Sequence, residues 1–102
     1  MNAARHTIEF AAQAMKGTIL EAGTRGLSFA GAAADSRAVE AEQLFFALPG
    51  ERVDGFDFVA QAVASGAAGV VVAGGRGTPA GRANAAVIAV DDPRRALGDL
   101  AR

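Results

Sequence analysis

The chain has 102 residues and a formal net charge of -1, ten basic residues standing against eleven acidic ones; it is one small domain with no positive excess for a nucleic acid or other polyanion. Zero cysteines and a single histidine exclude a disulfide framework, a thiolate metal site, a cysteine nucleophile and a histidine-rich metal site. The sequence holds 26 alanines and only 26 larger apolar residues, nothing in it approaches about 18 consecutive apolar residues, and its N-terminus lacks a signal pattern, so a soluble cytoplasmic chain with no membrane contact is expected.

Thr7 is placed to cap a helix through Ile8, Phe10, Ala11, Ala14 and Met15, which recur near the 3.6-residue period, and Gly17 fits the left-handed position that closes it. His6 reads as a solvated residue before that cap. Thr18-Ile19-Leu20 is a short strand ended by a turn at Glu21-Ala22-Gly23, and 29–34 is a second strand of small residues. The stretch 44–48, continuously apolar and stopped by Pro49-Gly50, is expected to be a strand covered on both faces.

From Asp57 the pattern becomes helical. Phe58, Val59, Ala62 and Val63 share one face, Gly66 ends the helix, and Asp57 is expected to serve its start by capping or dipole complementarity. Val70-Val71-Val72 follows as a buried strand. Residues 73–84, with four glycines, a proline and two arginines, read as an exposed, mobile loop. The strand 86–90 comes next, and Asp92 caps a last helix over 93–101 with Pro93 in its first turn and Ala96, Leu97 and Leu100 on its apolar face. That helix meets Arg102 without a closing glycine, which reads as a cut inside a longer protein. Alternating helices and strands make this an α/β domain, with a central sheet from 44–48, 70–72 and 87–90 flanked by helices.

Chemistry-bearing residues are few. Asp35-Ser36-Arg37 follows a strand, where open α/β sheets present ligand groups, and offers a hydroxyl, a guanidinium and backbone N–H donors suited to phosphate or uracil oxygens. Taken alone it also reads as an Asx-type turn with a solvated arginine. The loop 49–55 brings two glycines, Arg52 and Asp54. Gly74-Gly75-Arg76-Gly77-Thr78 fails as a phosphate loop, because no Gly-x-x-x-x-Gly-Lys-Ser/Thr string exists and the only lysine is Lys16. Asp91-Asp92 reads as a helix start rather than a metal site. The segment is expected to bind rather than to catalyse.

The run Asp35-Ser36-Arg37, then Leu44-Phe45-Phe46-Ala47-Leu48-Pro49-Gly50-Glu51-Arg52-Val53-Asp54-Gly55-Phe56-Asp57-Phe58-Val59, the block Gln61 to Val72, and Val87-Ile88-Ala89-Val90-Asp91-Asp92 with Arg95-Ala96-Leu97-Gly98-Asp99-Leu100-Ala101 after it resemble the N-terminal domain of Mur ligases over roughly 28 to 102. Within the family, the Leu48-Pro49-Gly50-Glu51-Arg52 wording is most similar to the ligases that add D-alanyl-D-alanine to UDP-N-acetylmuramoyl-tripeptide, and next to those that add the third peptide residue.

The resemblance implies a cytoplasmic enzyme of bacterial cell-wall synthesis with three domains. The first, spanning 1–102 here, holds the UDP end of the UDP-muramoyl peptide. A central domain binds ATP and magnesium and a third binds the incoming amino acid or dipeptide, so the segment itself carries neither cofactor. An acyl phosphate forms on the substrate carboxylate and the amine displaces phosphate. Carried over by position, Ser36 matches the hydroxyl that contacts the uridine diphosphate and Ala34 the backbone beside it. Glu51, Arg52, Val53 and Gly55 belong to the loop bordering uracil and ribose, while Arg37 and Asp54 hold the two loops together by charge-assisted bonds. Two departures stand out. Ala41-Glu42-Gln43 replaces the family's Pro-Gly-Asp turn, and without glycine it is expected to use a conformation open to ordinary residues; Phe56 stands where the family commonly has His. A stand-alone module binding a nucleotide or a protein partner is the alternative from another class.

Overall fold

The computed structural model describes residues 6–23, 28–50, 54–79 and 81–100. A two-residue strand β1 (His6–Thr7) leads into helix α1 (Ile8–Met15), where the Thr7 hydroxyl accepts a hydrogen bond from the Phe10 N–H at 3.0 Å, as the cap pattern predicts. His6 is exposed, and its ring stacks on Phe10 with centroids 4.5 Å apart.

Gly17 does not take the left-handed position. Lys16 does, at φ 56, a conformation that costs a residue with a Cβ about 1–2 kcal/mol, and the Gly17 N–H reaches back to the Ala12 carbonyl at 2.8 Å. Glycine is required at 17 for another reason. A Cβ there would stand 2.7 Å from Ile88 Cγ2 and 2.9 Å from the Ala89 carbonyl oxygen, so only a bare backbone passes the neighbouring strand this closely.

The central sheet contains β2 (Thr18–Glu21), β4 (Ala32–Ala33), β5 (Leu44–Phe46), β6 (Gly69–Ala73) and β7 (Ala86–Val90) in the order β2-β7-β6-β5-β4. From β4 to β7 all pairs are parallel, and β2 closes the far edge antiparallel to β7. This is the mixed α/β sheet expected from the sequence. The expected strand over 29–34 is broken: β3 (Ser28–Phe29) leaves the sheet to pair antiparallel with β1, and Gly31 at φ 90 turns the chain into β4. The strand expected over 44–48 stops at Phe46, where the Leu48 N–H closes a tight turn on the Phe46 carbonyl at 3.0 Å.

Strand periodicity divides the core in two. Leu44, Phe46, Val71, Ile88 and Val90 face α1 and α3 (Pro93–Leu100), meeting Ile8, Ala11, Met15 and Ala96. Phe45, Val70, Val72 and Val87 face the other way, against Val59, Ala62 and Val63 of α2 (Val59–Ala64). The three inner strands are thus apolar on both sides, which is why they read as unbroken apolar runs. Full burial of each such Val, Leu, Ile or Phe stabilises the fold by about 1.5–3 kcal/mol, so this sheet and not the alanine-rich helices supplies most of the burial.

A 3₁₀ helix (Gly55–Phe58) precedes α2, and its cap is Asp54, whose Oδ1 accepts from the Phe56 N–H at 3.0 Å. Asp57 lies in the first turn, where its charge complements the helix dipole as expected, while the capping falls to Asp54 three residues earlier. Gly66, at φ 106, ends α2, and Asp92 Oδ1 accepts from the Arg94 and Arg95 N–H groups at the start of α3, both as expected. The 41–43 turn departs from expectation. Glu42 sits at φ 69, the left-handed region, held by its N–H to Gly66 O at 2.8 Å and its carbonyl to Ala30 N–H at 2.9 Å. The turn keeps a glycine-type geometry without the glycine, because backbone bonds on both sides fix it.

Candidate functional site

A cleft of about 650 Å³ opens at the carboxyl ends of β4, β5 and β7, within the size range of small-molecule sites. Its walls come from the turn after β4 (Ala34, Asp35, Ser36, Arg37), the segment after β5 (Leu48, Pro49, Gly50), the 3₁₀ helix and α2 (Gly55, Phe58, Gln61) and the first turn of α3 (Arg94), with Phe45 at its base. Parallel strands deliver all these segments to one edge of the sheet, which is how residues 60 positions apart come together.

Ser36 is the one buried polar residue among those described, 8% exposed. Its hydroxyl donates to Gln61 Oε1 at 3.1 Å. With its proton committed, the Ser36 oxygen offers acceptor lone pairs to the cleft. Ala34 and Arg37 line the same cleft and are exposed. Glu51, Arg52 and Val53 lie outside the described residues. Gly55 is both wall and support: its N–H donates to the Leu48 carbonyl at 2.9 Å, and a Cβ would meet Leu48 N at 2.7 Å.

Among the described residues, no bond from Arg37 or Asp54 joins the two loops. Arg37 folds back on its own turn, with Nε and Nη2 donating to Asp35 Oδ1 and Oδ2 at 3.1 and 3.0 Å, while the Arg37 N–H closes an Asx turn on Asp35 Oδ1 at 2.9 Å. The guanidinium of Arg37 holds the Asp35 carboxyl below its ordinary range. Asp54 instead receives Arg76 Nη1 on Oδ2 at 2.7 Å, and this bond, with the Phe56 N–H, lowers its pKa. Arg76 also lies over the Phe56 ring, 4.2 Å from its centroid. The glycine-rich loop after β6 is therefore exposed as expected, but tied down at Arg76.

Sequence reasoning missed Gln61, Arg94 and Arg76. Arg94 was findable, because the first helical turn after a parallel strand lies at the sheet's carboxyl edge; its Nη2 donates to the Pro49 carbonyl at 3.4 Å. No local pattern marks Gln61 or Arg76. A second cleft of about 390 Å³ lies on the α1–α3 side, where Lys16 and Arg95 mix with Asp91, Asp92 and Asp99. It contains no residue singled out for binding, and among the described residues no group of three His, Cys, Asp or Glu is arranged to hold a metal ion. No helix among the described residues is long and apolar enough to cross a membrane.

The cleft lies at the carboxyl edge of an open α/β sheet beside a buried serine in a strand-following turn, and the profile of the Mur ligase family, catalytic domain, matches residues 28–102. The chain belongs to the Mur ligase family. A Bacillus subtilis relative named UDP-N-acetylmuramoyl-tripeptide–D-alanyl-D-alanine ligase is 40% identical over 98 residues, covering 96% of this chain and 21% of the relative. A Streptomyces coelicolor relative named UDP-N-acetylmuramoyl-L-alanyl-D-glutamate–2,6-diaminopimelate ligase is 46% identical over 67 residues, covering 66% of this chain and 13% of its own length. A crystal structure of MurF from Acinetobacter baumannii superposes with a TM-score of 0.78 at 33% identity, covering 98% of this chain and 21% of that one. The chain thus spans about one fifth of the length of the Bacillus subtilis and Acinetobacter baumannii proteins.

Proposed function

We propose that this chain is the domain that recognises the uridine diphosphate end of a UDP-N-acetylmuramoyl peptide, within a cytoplasmic ligase that adds D-alanyl-D-alanine to the tripeptide form. The observation that carries the reading is the convergence of Ser36 with the 48–50 segment and Gly55 in one cleft. Ser36 presents acceptor lone pairs suited to a uracil N–H or a ribose hydroxyl. Arg94 spends one donor on Pro49 and keeps the rest of its fork for a diphosphate. The relative named for 2,6-diaminopimelate favours a second reading, a ligase that adds the third peptide residue. Assay of the full-length enzyme with D-alanyl-D-alanine against diaminopimelate separates the two.

Ligases of this kind use ATP and magnesium, and we infer that this chain does not supply the groups that hold them. Its sequence has no phosphate loop and a single lysine, and no metal-holding group occurs among the described residues. In this reading those cofactors and the bond-forming step belong to other domains of the ligase.

An NMR titration of the 102-residue chain with UDP tests the reading. A few hydrogen bonds of about 0.5–1.5 kcal/mol, or about 1.5–3 to a charged group, must exceed an association cost of roughly 4 kcal/mol or more. Binding on the order of high micromolar to millimolar is therefore expected, with shifts at Ala34, Ser36, Gly50 and Gly55. Ser36→Ala weakens binding about three- to tenfold and leaves the fold intact. Shifts confined to 74–82 overturn the assignment.

A further inference from the structure

We propose that Arg76 is a positioning residue for the ligand cleft, holding the wall formed by Gly55 and Phe58 in place through Asp54 and Phe56. The inference rests on reading that cleft as the uridine diphosphate site.

Four contacts carry it. Arg76 Nη1 donates to Asp54 Oδ2 at 2.7 Å, the shortest ion pair among the described residues, across 22 positions of sequence. The other oxygen of the same carboxylate accepts from the Phe56 N–H, so one side chain both starts the 3₁₀ helix and binds the guanidinium. The guanidinium stands over Phe56 with Cζ 4.2 Å from the ring centroid, and Phe56 in turn packs on the α2 side of the core. Next in sequence, Gly55 is bonded to Leu48 and lines the cleft. A load path therefore runs from the loop after β6, through Arg76, to the cleft wall.

An apolar ring backed by the core gives the guanidinium a face to stack on, and the carboxylate beside it fixes the fork. Lysine at 76 would satisfy the charge of Asp54 but has no planar group to lie over the ring.

The test compares wild type, Arg76→Ala, Arg76→Lys, Asp54→Asn and the double variant Arg76→Ala/Asp54→Asn by UDP titration and by amide hydrogen exchange at Gly55 and Phe56. Arg76→Ala is expected to weaken UDP binding about fivefold and to speed exchange at both amides. Arg76→Lys is expected to fall between it and wild type. Asp54→Asn keeps the cap acceptor, and the double variant should lose less than the two single losses combined. Unchanged affinity in Arg76→Ala, where wild type binds, overturns the proposal, as does full recovery without Asp54. If wild type gives no UDP shifts in the cleft, the ligand reading falls by itself. Amide exchange then still decides the support role: faster exchange in Arg76→Ala upholds it and unchanged exchange ends it.

Discussion

Two Asp–Arg pairs border the cleft, and they are opposites in reach. Asp35 and Arg37 are two residues apart, bonded twice side chain to side chain, with side chains 50% and 81% exposed. Asp54 and Arg76 are 22 apart, bonded once, with side chains 27% and 39% exposed and an aromatic ring beneath the guanidinium. More hydrogen bonds do not make the first pair more important to the fold. Its two ends already lie in one turn, so closing it orders little else, and solvent screens it. The second pair joins segments that the backbone alone leaves independent, so its loss is felt in both.

The comparison is broken most severely at the glycine between the cap and the cleft. In Gly55→Ala the new Cβ meets backbone atoms of Leu48 and Ala47 at 2.7 and 2.9 Å, which cannot yield as a flexible side chain would. A loss of about 1–3 kcal/mol is expected in denaturant unfolding, along with the link that gives Asp54 its leverage. Asp54→Ala should come next, at about 1 kcal/mol for the lost cap and somewhat more with the partly screened ion pair. Asp35→Ala, which cuts an exposed pair and an Asx turn within one local turn, should move the denaturation midpoint least.

Acid sharpens the contrast with a smaller effect. Both carboxyls are held below the ordinary aspartate value of about 3.9, Asp54 chiefly by the Arg76 hydrogen bond and Asp35 chiefly by that of Arg37. A lowered folded-state pKa means that the stabilisation is present above the unfolded value and disappears as pH falls through the folded one. The deficit of Asp54→Ala relative to wild type should therefore be full near neutrality and shrink below about pH 4. Carboxyl titration by NMR should find both groups depressed, with unfolding data registering Asp54 more strongly than the solvent-screened Asp35.

The same contrast explains what could be read from the sequence. Val70-Val71-Val72 and 86–90 announce themselves because a strand apolar on both faces is a local pattern, and Asp92-Pro93 announces α3 because caps act within three residues. The Asx turn at Asp35 was legible for that reason too. Lys16 taking the left-handed site in place of Gly17 was hidden, since the demand on Gly17 comes from Ile88, far along the chain. Glu42 at φ 69 is fixed by backbone partners at Ala30 and Gly66. Gln61 and Arg76 follow from packing geometry, which no spacing rule encodes. Of the expected site, Ala34, Ser36, Arg37 and Gly55 do line one cleft, while Asp54 serves the wall from behind.

The strand order carries a kinetic consequence. β4 through β7 join neighbours in the order in which they are made, but β2 pairs with β7, the last strand of all. The cost of closing that span grows only slowly with its length, about 0.6 kcal/mol per doubling, yet non-local contacts of this kind slow folding. A ribosome delivers α1 and β2 first and their partner strand last. Until β7 emerges, Ile8 and Met15 can meet only the earlier strands through Leu44, Phe46 and Val71, while the pairing edge of β2 waits for the last strand to be made.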